Sequence, residues 1–373
     1  MIRRFLQDTL ESKLGRGKAL VLMGARQVGK TTLVRSVAAH RNDVLWLNGD
    51  EIDVQALFEN VSAARLKAIL GKNSTLVLDE AQRIRDVGLK LKLITDQCPD
   101  VQLIATGSSS FDLANQVNEP LTGRKLEYVL YPLSFGELAA HHGLIEEKRL
   151  LRHRLVHGSY PDVVNHAGEE KEVLRQLSDS YLYKDVLMWD HIKKSDKLVK
   201  LMQALAFQVG SQVSYPELGQ ICGLDYKTVE KYILLLEQAY VLFRLGSFSR
   251  NLRNELKASR KIYFIDNGIR NAVIADFRPM EIRSDAGALW ENYLVSERRK
   301  KLQYAGIWAN SWFWRTQQQQ EIDYIEEENG QISAWEFKWN PSAAPRQPRS
   351  FVEAYPGSVF SVIHRDNFDE FLL

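Results

Sequence analysis

The segment GARQVGKT, Gly24 to Thr31, constrains this chain more than any other. It fits GxxxxGK[ST], and it lies between an apolar run, ALVLM, and a helix-forming run, TTLVRSVAAH. That strand–loop–helix context gives the motif a mechanism. Gly24 and Gly29 leave backbone N–H groups free to wrap the β- and γ-phosphates. Lys30 brings positive charge to the same oxygens, and the Thr31 hydroxyl can reach Mg²⁺. The helix N-terminus adds favourable partial charge. Gly24, Ala25, Arg26, Gln27, Val28, Gly29, Lys30, Thr31 and Thr32 are therefore the expected residues of an ATP–Mg²⁺ site.

The surrounding pattern fits such a loop. Apolar runs at 19–24, 44–49, 75–81, 102–108 and 125–133 alternate with helical stretches. Continuous apolar strands separated by helices predict a parallel sheet covered on both faces, a three-layer α/β domain. In TLVLDEA, Asp79 and Glu80 stand at a strand end. Asp79 is expected to hold Mg²⁺ through water, and Glu80 to polarise the attacking water. In QLIATGSSS, Thr106, with Ser108 and Ser109 after it, either senses the γ-phosphate or caps a helix. Arg124 in LTGRKLEY is the favoured arginine finger, with Arg83 and Arg85 behind it.

Further along, ELGQICGLDYKTVEKYILLLEQAYVLFRL reads helix, tight turn, helix, strand. Gly223 suits the end of the first helix and Asp225 the cap of the second. Val229, Ile233, Leu236 and Ala239 recur at helical spacing and face a core. Such an element enters a DNA major groove or packs subunits. Its second helix mixes acidic and basic residues, and the more basic stretch from Arg250 to Lys261 is the expected wing contact.

Near the C-terminus, Asn329-Gly330 separates EIDYIEEE from QISAWEFKW and favours a two-residue hairpin turn. Counting outward, Tyr324 faces Trp335, Asp323 faces Glu336 and Glu321 faces Lys338. Alternation then puts Asp323, Glu336 and Lys338 on one face. Ile322, Tyr324, Trp335 and Phe337 form the other, a core face. Opposed carboxylates repel unless a cation lies between them, and oxygen ligands suit Mg²⁺ or Mn²⁺. The bland alternative is a solvated face with a weak Glu321–Lys338 ion pair. His153 and His157, four apart on a helix, lack an evident third ligand and read as ordinary histidines.

The succession P-loop, LDE, TGSS, GR…L.PLSF.E, KDVL, IDNG and WEFKW resembles the bacterial and archaeal AAA-type ATP-binding proteins with a C-terminal domain of unknown function. The similarity covers almost the whole chain. It implies an AAA+ ATPase module at 1–138, a helical connector at 139–196, a winged helix-turn-helix at 197–250 and a mixed α/β, restriction-endonuclease-like domain at 251–373. In that pattern Asp323, Glu336 and Lys338 resemble a nuclease D…E-x-K site, with Lys338 catalytic and Glu291 the upstream acidic metal ligand. Arg315 would contact phosphate. The proline-aspartate form of the motif is absent, since Asp323 follows Ile322.

The chain's 45% apolar and 26% charged residues suit a globular protein, and no apolar run is long enough to span a membrane. Two cysteines make neither a disulfide framework nor a zinc site, so a cytoplasmic home is expected. A net charge of +2 confines any nucleic-acid surface to a local patch. The expected partners are DNA and further copies of the chain, with ATP driving a nuclease-like end. The rival expectation is an ATP-controlled switch or scaffold that binds protein partners through an inactive nuclease-like domain.

Overall fold

Three runs, ALVLM, TLVLD and QLIATG, are buried along their whole length. Only a sheet covered on both faces accommodates that. The computed structural model describes residues 2–108, 121–179, 195–249, 260–316, 318–343 and 345–373. Two compact units emerge. The first is Met1–Pro132 with Gln238–Tyr240; the second is Leu133–Glu237 with Val241–Leu373.

The first unit holds β1 (Ala19–Met23), β2 (Val44–Asn48), β3 (Thr75–Asp79), β4 (Gln102–Gly107) and β5 (Lys125–Val129). They form one sheet in the order β2-β3-β4-β1-β5, and every pairing in it is parallel. The order brings the carboxyl ends of β1, β3 and β4 to one edge. There Leu22 pairs with Thr106, and Asn48 pairs with Asp79. A core including Val21, Leu76, Leu78, Leu91, Ile94 and Ala105 packs helices against this sheet.

The second unit holds β6 (Gln212–Val213), β7 (Leu242–Ser247), β8 (Arg260–Phe264), β9 (Asn310–Arg315), β10 (Glu321–Glu328), β11 (Gln331–Phe337) and β12 (Val359–Ile363). Their order is β12-β11-β10-β9-β7-β8-β6 in a mixed sheet. Strands from both sides of the expected 250/251 boundary share it, because Gly246 and Ser247 pair with Trp312 and Phe313.

Between β6 and β7 lie helices Tyr215–Cys222 and Tyr226–Gln238. Gly223 takes φ 64° at the turn, and the Leu224 N–H donates to the Gly219 carbonyl at 2.8 Å. Asp225 caps the second helix by accepting from the Thr228 N–H at 3.0 Å and its hydroxyl at 2.6 Å. Val229, Ile233 and Leu236 are fully buried. Of the stretch expected to supply wing contacts, 250–259 lies outside the described residues, as do Ser109 and KDVL at 184–187.

The Asn329-Gly330 turn produces the expected register, with Glu328 opposite Gln331 and Tyr324 opposite Trp335. The expected sorting of faces does not hold. The β9–β10 register shifts between Ile322 and Ile325, which breaks simple alternation. Ile322 therefore packs with Ile325, Trp314 and Phe351. Tyr324 instead lies among the rings of Trp335, Phe337 and Phe371. Both faces of β10 are buried, and Asp323 is only 9% exposed.

Candidate functional site

The first site is built from the ends of three parallel strands. The chain leaves β1 at Gly24, where φ is 150° and an added Cβ would lie 2.2 Å from the Leu130 carbonyl oxygen. Only glycine fits there. Gly29, at φ 94°, opens the helix Lys30–Ala38. Ala25 and Val28 are buried, Arg26 is half-buried, and Gln27 and Thr32 face outward. The buried Lys30 ammonium donates to the Gly24 carbonyl at 3.0 Å and the Ala25 carbonyl at 2.7 Å. It thus lies inside the loop's own curve.

Thr31 donates its hydroxyl to Asp79 Oδ2 at 2.8 Å, across 48 residues of sequence. Thr106 donates to the other oxygen, Asp79 Oδ1, and accepts from the Glu80 N–H at 3.1 Å. The structure thus gathers Lys30, Thr31, Asp79, Glu80 and Thr106. Glu80 turns off the strand at φ 49°, and Gln82 donates to its Oε2 at 2.6 Å and to Ser108 Oγ at 3.0 Å.

Arg124 does not join this group. Its carbonyl accepts from Ala19 N–H at the amino end of β1, and its side chain pairs with Asp96 at 2.6 Å. The phosphate loop is at the other end of β1, roughly 13 Å of strand away. Arg83 pairs with Asp50 at 3.1 Å. Two residues that sequence reasoning missed support the loop and the acidic turn. Arg4 donates to the Val28 carbonyl at 2.7 Å and the Tyr131 carbonyl at 2.6 Å, and Gln82 braces Glu80. Neither lies in a motif, so only the fold reveals them.

The second cluster lies in the second unit. The structure brings Glu291, on the helix Ala286–Ala305, close to Asp323, Glu336 and Lys338. It adds two residues that sequence reasoning did not place there. Lys261, on β8, is 2% exposed and pairs with Glu291 Oε1 at 2.8 Å and Glu321 Oε1 at 2.6 Å. Tyr263 donates to Glu291 Oε1 at 2.6 Å. Glu321 also meets Arg315 at 3.4 Å, so the Glu321–Lys338 pair of the bland alternative is replaced. Lys338 pairs with Glu336 at 2.7 Å, and Asp323 Oδ2 accepts from the Phe337 N–H at 2.8 Å.

The electrostatics follow from burial. Desolvation raises the Glu291, Asp323 and Glu336 carboxyls above the usual range, with Lys261 opposing it at the first two. For Lys261, burial works against the charge, but Glu291, Asp323 and Glu321 outweigh it and hold the ammonium above the usual lysine range. Lys338 is likewise held protonated, chiefly by Glu336 and Asp323 against burial. An ammonium so held orients water or phosphate rather than taking a proton.

The oxygen donors suit a hard divalent cation. Among the described residues, however, no three His, Cys, Asp or Glu side chains converge as a ready coordination shell. Glu291 Oε1 and Glu321 Oε1 are already turned towards Lys261.

The rings of His153 and His157 lie 4.5 Å apart, tilted by 40°, and His153 meets Glu170 at 3.0 Å. Among the described residues, no helix is long and apolar enough to cross a membrane.

Comparison with known proteins divides the chain in three. Residues 16–139 match the model of an AAA domain. Residues 148–280 and 286–369 match two domains of unknown function, DUF8612 and DUF4143. An uncharacterized protein of Mycobacterium tuberculosis is 26% identical over 342 residues, covering 90% of this chain and 74% of that one. One of Methanocaldococcus jannaschii is 23% identical over 375 residues, covering 94% and 82%. Among solved structures, a Walker-type ATPase of Pyrococcus abyssi shares the fold. Its TM-score is 0.52 at 15% identity, over 74% of this chain and 96% of that one. With the loop geometry and the matched model together, residues 16–139 resemble an AAA-type domain and have the fold of a P-loop ATPase.

Proposed function

We propose that this protein hydrolyses ATP at the edge of its five-stranded sheet and uses turnover to act on DNA through its second unit. The observation that carries the first half is the row Thr31–Asp79–Thr106, hydrogen-bonded beside the Lys30 loop. Mg²⁺, when bound, neutralises charge on the β- and γ-phosphate oxygens. The Thr31 hydroxyl and the Asp79 carboxylate would hold it. Lys30 exchanges its two carbonyl partners for phosphate oxygens. Glu80, aimed by its left-handed turn, orients the attacking water, and Thr106 links that turn to Asp79.

The second half rests on two features. The pair of helices at Tyr215–Cys222 and Tyr226–Gln238, with β7 and β8 following, has winged-helix connectivity. Its outer face carries Lys227 and Lys231 beside Asp225 and Tyr226, so contact with DNA there is modest and salt-sensitive. Glu291, Asp323 and Glu336 would hold a divalent cation for phosphodiester cleavage, with Lys338 orienting the phosphate or water.

A second reading has its own observation. Every carboxylate of that cluster already engages a donor within the protein, which suits an inactive centre. The protein would then be an ATP-controlled switch. Steady-state ATPase rates with and without duplex DNA separate the two readings. Lys30→Ala is expected to abolish nucleotide binding, and Glu80→Gln to keep binding while turnover falls by about 10² or more. DNA stimulation in the wild type supports action on DNA. Its absence at low salt favours the switch, and full turnover by Glu80→Gln removes that residue from the chemistry.

A further inference from the structure

A loop that cradles phosphates turns its N–H groups inward and its carbonyls away, because a carbonyl oxygen facing a phosphate repels it. In residues 24–31 the backbone is bent sharply, with Gln27 and Gly29 both at left-handed φ, 59° and 94°. Gln27 lacks the freedom of glycine, so its conformation persists only where the surroundings hold it. The carbonyl that follows, on Val28, is held by Arg4. The Arg4 side chain is buried, and its two Nη atoms donate to the Val28 carbonyl at 2.7 Å and the Tyr131 carbonyl at 2.6 Å. A planar trans peptide points its N–H opposite to its C=O. Drawing the Val28 carbonyl towards Arg4 therefore turns the Gly29 N–H away from Arg4. Both supports are themselves fixed. Arg4 leads into the helix Leu6–Lys13, which is anchored by the buried Leu6 and Leu10. Leu130, beside Tyr131, donates its N–H to the Met23 carbonyl at 2.7 Å, and its own carbonyl leaves no room for a Cβ on Gly24. The loop is thus fastened to Leu130 and Tyr131 at two points, by close contact at Gly24 and through Arg4 at Val28.

We propose that Arg4 is a positioning residue for the nucleotide: it clamps the Val28–Gly29 peptide with its N–H turned to the phosphates, and so sets the affinity for MgATP. This role rests on the reading of residues 24–31 as an ATP site. Lys30 exchanges its carbonyl partners for phosphate oxygens when nucleotide binds, whereas Arg4 keeps Val28 in place in both states. A peptide already aimed before binding has less freedom to lose on binding. The planar fork of an arginine suits two carbonyls at once, which a lysine ammonium matches poorly. The residues placed at the chemistry, Asp79, Glu80 and Thr106, hold one another. Arg4 therefore acts on binding and leaves turnover of bound ATP nearly alone.

The test compares the full-length wild type, Arg4→Met, Arg4→Lys and Leu10→Ala. Calorimetry gives the Kd for MgADP, steady-state rates give KM and kcat for MgATP, and a thermal melt gives stability. Leu10→Ala removes buried side chain from the same helix without touching the loop, so it reports what general destabilisation does. Arg4→Met is expected to raise Kd and KM about tenfold or more, the size of one charge-assisted hydrogen bond, with kcat within about threefold of wild type. Arg4→Lys keeps a donor and is expected to recover part of that loss. Leu10→Ala is expected to melt lower yet bind as wild type does. Wild-type affinity in Arg4→Met overturns the proposal, and so does an equal loss of affinity in Leu10→Ala. A fall in kcat with KM unchanged overturns it too, because Arg4 would then act on turnover. If Arg4→Met does not fold, Arg4→Lys carries the same comparison: binding weaker than in Leu10→Ala supports the clamp, and equal binding overturns it. A wild type that does not bind MgADP removes the nucleotide site itself, and the clamp with it.

Discussion

At the scale of single residues, the nucleotide site was legible because its chemistry is local. Gly24, Gly29, Lys30 and Thr31 fall within eight positions, and Asp79 ends an apolar run. What was illegible came from contacts between distant positions. Lys261 looks like any lysine in KIYFID until the fold sets it against Glu291 and Glu321. His157 makes the same point and yields a prediction. Burial, and then the nearby His153 charge, push its imidazole down to about 4, against Glu170 and with Lys171. Its ring lies nearly parallel to Phe277, 6.0 Å away. The unfolded chain titrates near the ordinary histidine value of about 6.5. A depressed folded value means that stability is present above that pH and is lost as pH falls towards 4. For a half-buried ring the loss is about 1–2 kcal/mol after allowing for solvent screening. Urea midpoints from pH 7 to pH 4.5 should therefore fall less steeply in His157→Phe than in wild type. Parallel slopes would show that His157 does not titrate in this window.

Elements were legible where a residue type announces the geometry. Gly223 at a left-handed turn and Asp225 as a cap marked the turn between two helices, and Asn329-Gly330 set the β10–β11 register. The faces of β10 were not legible, because counting by twos assumes no inserted residue, and the shift between Ile322 and Ile325 breaks the count. Periodicity also hid the reason for Gly219, which sits inside the helix Tyr215–Cys222. A Cβ there would lie 2.6 Å from the Leu224 carbonyl oxygen, the edge of the tight turn. Alanine ordinarily favours a helix over glycine, but here it must push backbone apart. Gly219→Ala should cost about 1–3 kcal/mol, the usual range for overpacking. A thermal melt of the full chain reads it. A raised melting temperature would mean that the turn relaxes freely and that the close approach carries no weight.

At the scale of the molecule, the two sheets divide the work. A parallel sheet gathers loops at its carboxyl edge, which is where the nucleotide residues meet, while the mixed sheet gathers carboxylates on β10 and β11 beside a long helix. The same parallel geometry decides what Arg124 can do. It stands at the amino end of β5, level with Ala19, while Asp79 ends β3 and Thr31 stands past the carboxyl end of β1. An arginine spans about half that distance, so Arg124 does not reach a phosphate bound in its own subunit. If it stabilises the transition state, it does so in a neighbouring copy, and turnover requires assembly. Complementation tests this directly. Arg124→Ala should bind ATP normally yet turn it over about 10³-fold more slowly, the low end for a missing finger. Lys30→Ala should be inactive for want of ATP. Mixed together, the intact loop of the first variant meets the intact arginine of the second, and activity should return as the mixture assembles. A fully active Arg124→Ala would take the finger away from this position. Two inactive variants that stay inactive after co-refolding would show that Arg124 acts within its own chain, by holding Asp96 and the start of β5 rather than by reaching a phosphate.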